Sequence, residues 1–327
     1  MTSPTPSNKS VIDISKGKET GAICSTGTTD IVLKIDKLSL TLSAYTQKEE
    51  KEMIGAALQL VDGGWGQKVY LRNGYKLNIL VPLPPTNERV LYSWVPTIAS
   101  RPYFRIEFNP SKLQTEGIAE LIYCDIVLLL NLGAGELYGR AKVSRIDIAI
   151  DLGGVSIKNL LVFSDYAVRS TKYDRSGDLE TIYLGSQKSP AQTRIYDKVA
   201  EMIAKGLTVS SAHPITRIER VARNKGLLKN LAKMKNPLST LHLGFPANKP
   251  DGIPTHTWAM FCSYAREHTT QAALAMLPKS ERGKFKAAMK LVEPDWWDTA
   301  VIWQQWPALI DHVGLVPQGP FYYGKVE

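Results

Sequence analysis

Three short stretches of the chain place a chemically active side chain two residues after an arginine: Arg145-Ile-Asp147, Arg194-Ile-Tyr196 and Arg217-Ile-Glu219. Side chains alternate between the faces of a β-strand, so residues two apart share a face. Each arginine then lies beside its partner, and Ile146, Ile195 and Ile218 point the other way. If the three strands are neighbours, one polar face collects two carboxylates, a phenol and several arginines. Such a face could hold a divalent metal and a phosphodiester. A tyrosine can cut DNA by attacking phosphorus, but a phenol of pKa about 10 needs help to become nucleophilic. A bound cation polarises the scissile phosphate, and arginine forks fit phosphate oxygens. Asp147 and Glu219 offer hard oxygen ligands suited to Mg or Mn.

Neighbouring residues extend the set. Asp151 shares the strand face of Asp147 and could add a ligand at the far end. Lys198 shares the parity of Tyr196, provided the strand continues, and with Arg194 would contact the phosphate or steady the phenolate. Arg145 and Arg217 are expected to meet DNA. So are Lys225, Lys229 and Lys233, placed on a basic helix over 225–235. Glu107, in Arg105-Ile-Glu107, repeats the pattern of Glu219, either as a further metal ligand or as a salt-bridged remnant. Tyr183 is a second tyrosine nearby, but Ile182 and Leu184 beside it suggest plain strand packing.

These residues need strands to hold them. Alternation predicts a strand over 30–44, a helix over 47–60, and a hairpin turning at Asn73-Gly74. Further strands are expected at 90–94 and 102–108, then a helix over 111–132. The second half repeats the order: a strand carrying Asp147, a helix over 156–167, two strands paired around 187–190, a short helix after Tyr196, and the strand carrying Glu219. The fold expected is therefore α+β, with two mainly antiparallel sheet units of similar order that suggest internal duplication. A nickase-like domain would span 29–243, in halves of about 29–135 and 143–243. A linker over 244–254 leads to a helical region at 254–316, whose last stretch, from Asp295, carries four of the seven Trp residues. It would comprise a long helix from Thr255, a second helix capped by Ser280, and the Trp-rich stretch. Residues 1–28 and 317–327 read as tails.

Forty Lys and Arg stand against 31 Asp and Glu among 327 residues, a net charge of +9 that favours a polyanionic partner such as nucleic acid. Three widely spaced cysteines suggest neither a disulfide framework nor a zinc cluster, in keeping with a reducing cytoplasm. The first ten residues lack the apolar core of a signal peptide, and the longest apolar run is too short to span a bilayer, so no membrane partner is expected. The five histidines lack metal-motif spacing, and no glycine-rich stretch has the context of a nucleotide site.

The stretches IDKLSLTL, RIEFNPSKL, RIDIAID, TIYLGSQKS, RIYDKVAE and RIERVAR, in this order over about 35–230, resemble the replication initiation factor family. That family comprises plasmid and phage rolling-circle replication initiators and related mobile-element relaxases. The resemblance implies site-specific DNA nicking and strand transfer. Tyr196 would become linked to the 5′-phosphate, the released 3′-hydroxyl would prime synthesis, and Asp147 and Glu219 would bind the metal. Origin DNA, as a hairpin or a nicked single strand, is the implied partner, with a helicase and a second copy of the chain as further candidates. A relaxase for conjugative transfer shares this chemistry. A non-catalytic origin-binding protein or repressor is the alternative of another class. The helical C-terminal region lies outside the resemblance, which leaves open whether it reads the origin, recruits a helicase or braces the sheet.

Overall fold

A computed structural model of the chain describes residues 22–26, 29–44, 46–83, 88–112, 139–167, 170–175, 178–186, 188–189, 191–209 and 213–315. The first half runs β1 (Ala22–Thr26), β2 (Thr29–Leu42), helix α1 (Gln47–Asp62), β3 (Gln67–Lys68), β4 (Tyr75–Pro82), β5 (Arg89–Pro96) and β6 (Phe104–Phe108). The second runs β7 (Lys142–Gly153), β8 (Leu161–Ser164), β9 (Ser170–Arg175), β10 (Asp178–Leu184), β11 (Thr193–Asp197), α2 (Lys198–Ala204), β12 (Ile215–Leu227) and β13 (Leu241–Gly244). Five helices follow: α3 (Thr255–Glu267), α4 (Thr270–Met276), α5 (Lys279–Lys290), α6 (Thr299–Gln304) and α7 (Trp306–His312).

The fold is α+β. The two expected sheet units form one antiparallel sheet in the order β3-β4-β5-β6-β2-β7-β12-β11-β10-β9, with β1 also on β2. The long strands β2 and β7 meet at its centre. In each half the Arg-Ile-Glu strand is the last strand of this sheet in sequence and pairs with the first long strand: β6 with β2, and β12 with β7. Outside them lie β5 and β11, then β4 and β10, then β3 and β9. The halves therefore match strand for strand about the β2–β7 seam.

One face of this sheet is apolar. Ile31, Leu33 and Ile35 join Ile146, Ile148, Ile150, Ile195 and Ile218 in the main core. β-Branched side chains pack well on such a pleated surface, which is why these segments form strands. In β2 the buried positions shift from odd to even after Ile35, because Asp36 is a bulge residue: Ile35 pairs with Ile148, and Lys37 with Asp147.

The helical C-terminal region braces this core. Trp306 is fully buried and its indole donates to the Leu231 carbonyl at 2.9 Å. Trp303 stacks on it at 4.5 Å between ring centroids and donates to the Met234 carbonyl. Helices α3 to α5 cover the two-stranded sheet of β8 and β13 through a second core in which Phe163 meets Trp258, Phe261 and Phe285.

Several local expectations are corrected. Residues 22–26, expected in a tail, form β1 in register with 29–33. The 156–167 helix is a 3-10 turn at Ile157–Asn159 followed by β8, whose burial on both faces gives the continuous apolar run of a strand. The basic helix at 225–235 is the end of β12 and a 3-10 turn over Leu228–Lys233. Positive φ at Asn224 and Gly226 bends the strand there, so pairing with β7 resumes at Gly226 rather than giving way to a helix. The long helix from Thr255 breaks at His268, where Thr269 caps α4 by accepting from the Ala272 amide. Helix α5 starts at Lys279, before the expected Ser280 cap. At the Asn73-Gly74 turn β3 has only two residues; Gly74, at φ +87°, leads into β4. The helix expected at 111–132 lies outside the described residues except for a 3-10 turn at Pro110–Lys112. Among the described residues no helix is long and apolar enough to cross a membrane.

Candidate active site

The strands carrying the three Arg-Ile motifs are neighbours, in the order β7-β12-β11. Arg217 lies opposite Tyr196 and Asp151, and Glu219 lies opposite Arg194 and Ala149. All of these point away from the apolar core, on the face opposite the buried isoleucines.

The phenol of Tyr196 donates to Glu219 Oε1 at 2.6 Å. Arg194 holds both members. Its guanidinium lies 4.1 Å from the Tyr196 ring centroid, and its Nη1 is 3.7 Å from Glu219 Oε2. Tyr196 is 3% exposed, so its hydroxyl works in a poorly hydrated setting. Burial pushes the phenol well above its ordinary value, and the Glu219 charge adds to this. Burial also raises the Glu219 carboxyl, with Asp36 nearby adding to the rise. The phenol keeps the proton and Glu219 accepts it in a hydrogen bond, and a carboxylate raised this way is a better base than an exposed one.

Asp36 is a site residue that the motifs do not announce. The bulge turns it onto the polar face, 3.6 Å from Arg217 Nη1. The signal for it is the spacing of apolar residues in β2. Ile31, Leu33 and Ile35 keep one parity, and Leu38, Leu40 and Leu42 keep the other.

The other expected site residues are in place on this face but already occupied. Asp151 takes a two-pronged bond from Arg217, at 2.5 and 2.7 Å, and an ion pair from Lys34 at 3.1 Å. Although burial alone would raise it, those cations hold the Asp151 carboxyl at about 2. Asp147 is gripped by Arg145 at 2.7 and 2.6 Å. Glu107 accepts from Lys37 at 2.8 Å, from Ser39 at 2.6 Å and from Arg105. Burial opposes them, yet these donors keep it ionised, at about 2.

A divalent cation fits this arrangement poorly. Asp147 lies diagonal to Glu219 across β7 and β12, and Arg145 sits between carboxylates, within the influence of Asp147, Glu107 and Glu219. Among the described residues no three His, Cys, Asp or Glu side chains form a metal-ligand group. Each of Asp147, Asp151 and Glu107 instead holds a guanidinium, which carries a fixed positive charge of its own.

Lys198 does not extend the strand. β11 ends at Asp197, which caps α2 by accepting from the Ala200 amide, and the Lys198 ammonium pairs with Glu201 at 2.7 Å. Lys225, Lys229 and Lys233 are exposed at the far end of β12 and in the turn beyond it. Tyr183 lies opposite Arg194 on β10, one strand out from Tyr196. Compared with known proteins, the chain matches no family model, and no curated protein matches it.

Proposed function

We propose that the chain nicks DNA and transfers the strand through Tyr196. The observation that carries this reading is the 2.6 Å bond from the phenol to Glu219, on a sheet face lined by Arg194 and Arg217. Glu219 accepts the phenol proton as Tyr196 Oη attacks the phosphorus of a phosphodiester. The P–O3′ bond breaks, the 3′-oxygen leaves and takes up a proton, and the 5′-phosphate stays on the tyrosine. Arg194 and Arg217 stabilise the charge that grows on the phosphate oxygens. Reversal of the same steps rejoins a strand. The resemblance noted from the motifs sets this chemistry in rolling-circle replication, with conjugative transfer as the alternative setting.

Charge supports DNA as the partner, since +9 over the chain attracts a polyanion. Mg or Mn remains part of the proposal only as a test. The acids present do not form a ready cage, and Arg194 and Arg217 supply the positive charge at the phosphate. A second reading, a DNA-binding protein without cleavage, is favoured by one observation: Tyr196 is 3% exposed, so DNA must displace what covers it.

The experiment is incubation of the full chain with end-labelled hairpin and supercoiled DNA, with Mn, Mg or EDTA. A phosphotyrosyl peptide at Tyr196, lost in Tyr196→Phe, is the expected product. DNA binding with no adduct under any condition would favour the non-catalytic reading. An adduct lost in EDTA would assign a divalent ion to the site; an undiminished one would leave the arginines as its cations.

A further inference from the structure

We propose that Arg220 and the serine-lined cavity beside it bind a phosphate-type oxyanion, on the face of the sheet opposite Tyr196. Arg220 follows Glu219 in β12, so its side chain leaves the sheet on the other side, the side of Ile218 and Thr193. It is 6% exposed. Its guanidinium donates to the Thr193 hydroxyl and, at 3.2 Å, to the Thr240 hydroxyl, while Nε has no hydrogen-bond partner.

No carboxylate among the described residues pairs with it. This sets Arg220 apart from the arginines of the polar face, since Arg217, Arg145 and Arg105 each clasp an acid. Burial alone lowers its pKa, with no nearby acid opposing the fall. A guanidinium stays charged in proteins, and a buried charge without a counter-charge is unfavourable. A bound anion would relieve it.

The space for that anion is present. A cavity of about 310 Å³ opens beside Arg220 between the end of β8 and the β10–β11 loop. Ser164, Ser186 and Ser189 line it with hydroxyl-bearing side chains, and Gly185, at φ +85°, lies at its edge directly after β10. Three hydroxyls and a planar guanidinium match the acceptors of a tetrahedral phosphate oxyanion. The volume also admits part of an attached ester group.

Thermal unfolding of the full chain in sodium phosphate, against sodium chloride at equal ionic strength, tests this. A saturable rise in Tm with phosphate is expected, because a ligand of the folded state stabilises it by mass action. Arg220→Gln should abolish the saturable part. Should that variant fail to fold, Ser186→Asp places a carboxylate at the exposed rim and should weaken the phosphate response at least tenfold. Tyr196→Phe should keep the full response, which separates this cavity from the proposed nicking site. Parallel titrations with a nucleoside 5′-monophosphate and with an oligonucleotide lacking terminal phosphates identify the source. A stronger response to the first points to a monoester, and to the second a diester backbone. A phosphate response equal to that of chloride would overturn the proposal, as would the same saturable rise in whichever of Arg220→Gln and Ser186→Asp is folded.

Discussion

Glu107 and Glu219 hold equivalent places in the two halves of one sheet, each two residues after an arginine on the strand beside a central one. Their outer neighbours differ. The residue opposite Arg217 on the flanking strand is Tyr196, whereas opposite Arg105 it is Ser93. Ser93 turns its hydroxyl to Asn78 Oδ1 at 2.7 Å, and Glu107 is left to Lys37, Ser39 and Arg105. One half of the sheet thus keeps its glutamate ionised in a salt-bridged ladder, and the other raises it beside a phenol. Exchanging each for glutamine separates the roles. Glu219→Gln should cut the rate of DNA–protein adduct formation by a factor of about 10²–10⁴, the usual worth of a general base. Glu107→Gln should leave that rate near wild type and cost on the order of 1–3 kcal/mol in urea unfolding, from cations left without their counter-charge. Equal rate losses in both variants would remove the distinction.

The proposed chemistry carries a pH signature. Glu219 must be ionised to take the phenol proton, and its pKa is raised by burial and by Asp36. Single-turnover adduct formation should therefore rise with pH through a value above the ordinary 4.5 of a glutamate. Stability should run the other way for this group. A raised folded pKa means that protonated Glu219 favours the fold, a contribution present below the unfolded value and lost as pH rises through the folded one. Asp36→Asn should move the rate profile to lower pH, since it removes a neighbouring negative charge. An unshifted profile in that variant would detach Asp36 from the site.

Much of this site was legible in the chain because a strand has a period of two. Arg-Ile-Asp, Arg-Ile-Tyr and Arg-Ile-Glu each announce a polar and an apolar face, but the insertion of β12 between β7 and β11 departs from their sequence order and is set by pairing alone. Other features depend on partners that no local pattern reveals. The run at Leu161–Ser164 suits a helix or a strand, and only its pairing with β13 decides. Lys225 to Lys233 has good helix formers, but the ladder to β7 holds the backbone extended as far as Leu227. Ionic pairing is hidden for the same reason. That Asp151 would serve Arg217 rather than a metal depends on a register across two strands 66 residues apart in sequence.

The Arg217–Asp151 pair offers a stability test. Arg217 is 2% exposed, and both of its prongs reach Asp151. Arg217→Met leaves the buried Asp151 carboxylate to Lys34 alone and should cost up to about 3–5 kcal/mol in chemical unfolding, whereas Arg217→Met with Asp151→Leu and Lys34→Met should recover most of it. The single variant should also change acid unfolding. In the wild type, Asp151 is depressed from 3.8 to about 2. Its contribution is present above the unfolded value and is lost as pH falls through the folded one. Between about pH 4 and 2 the wild type should therefore lose more stability than Arg217→Met, in which only Lys34 still lowers Asp151. Parallel acid-unfolding curves for the two chains would contradict this account of the pair.

Binding to DNA should report how many phosphates the chain contacts. Each phosphate neutralised by a protein cation releases condensed counterions, so log K falls against log salt with a slope of about −0.9 per contact on duplex DNA. Lys225, Lys229 and Lys233 are exposed at the end of β12 and in the turn beyond it. The triple Lys→Ala variant should therefore weaken binding to duplexes of any sequence and flatten that slope by about 2–3, if each lysine meets one phosphate. Adduct formation should recover at saturating DNA, because the Tyr196–Glu219 pair is untouched. A slope equal to that of the wild type would move the duplex to another surface, while a maximal rate that stays low at saturation would place these lysines in the cleavage step itself.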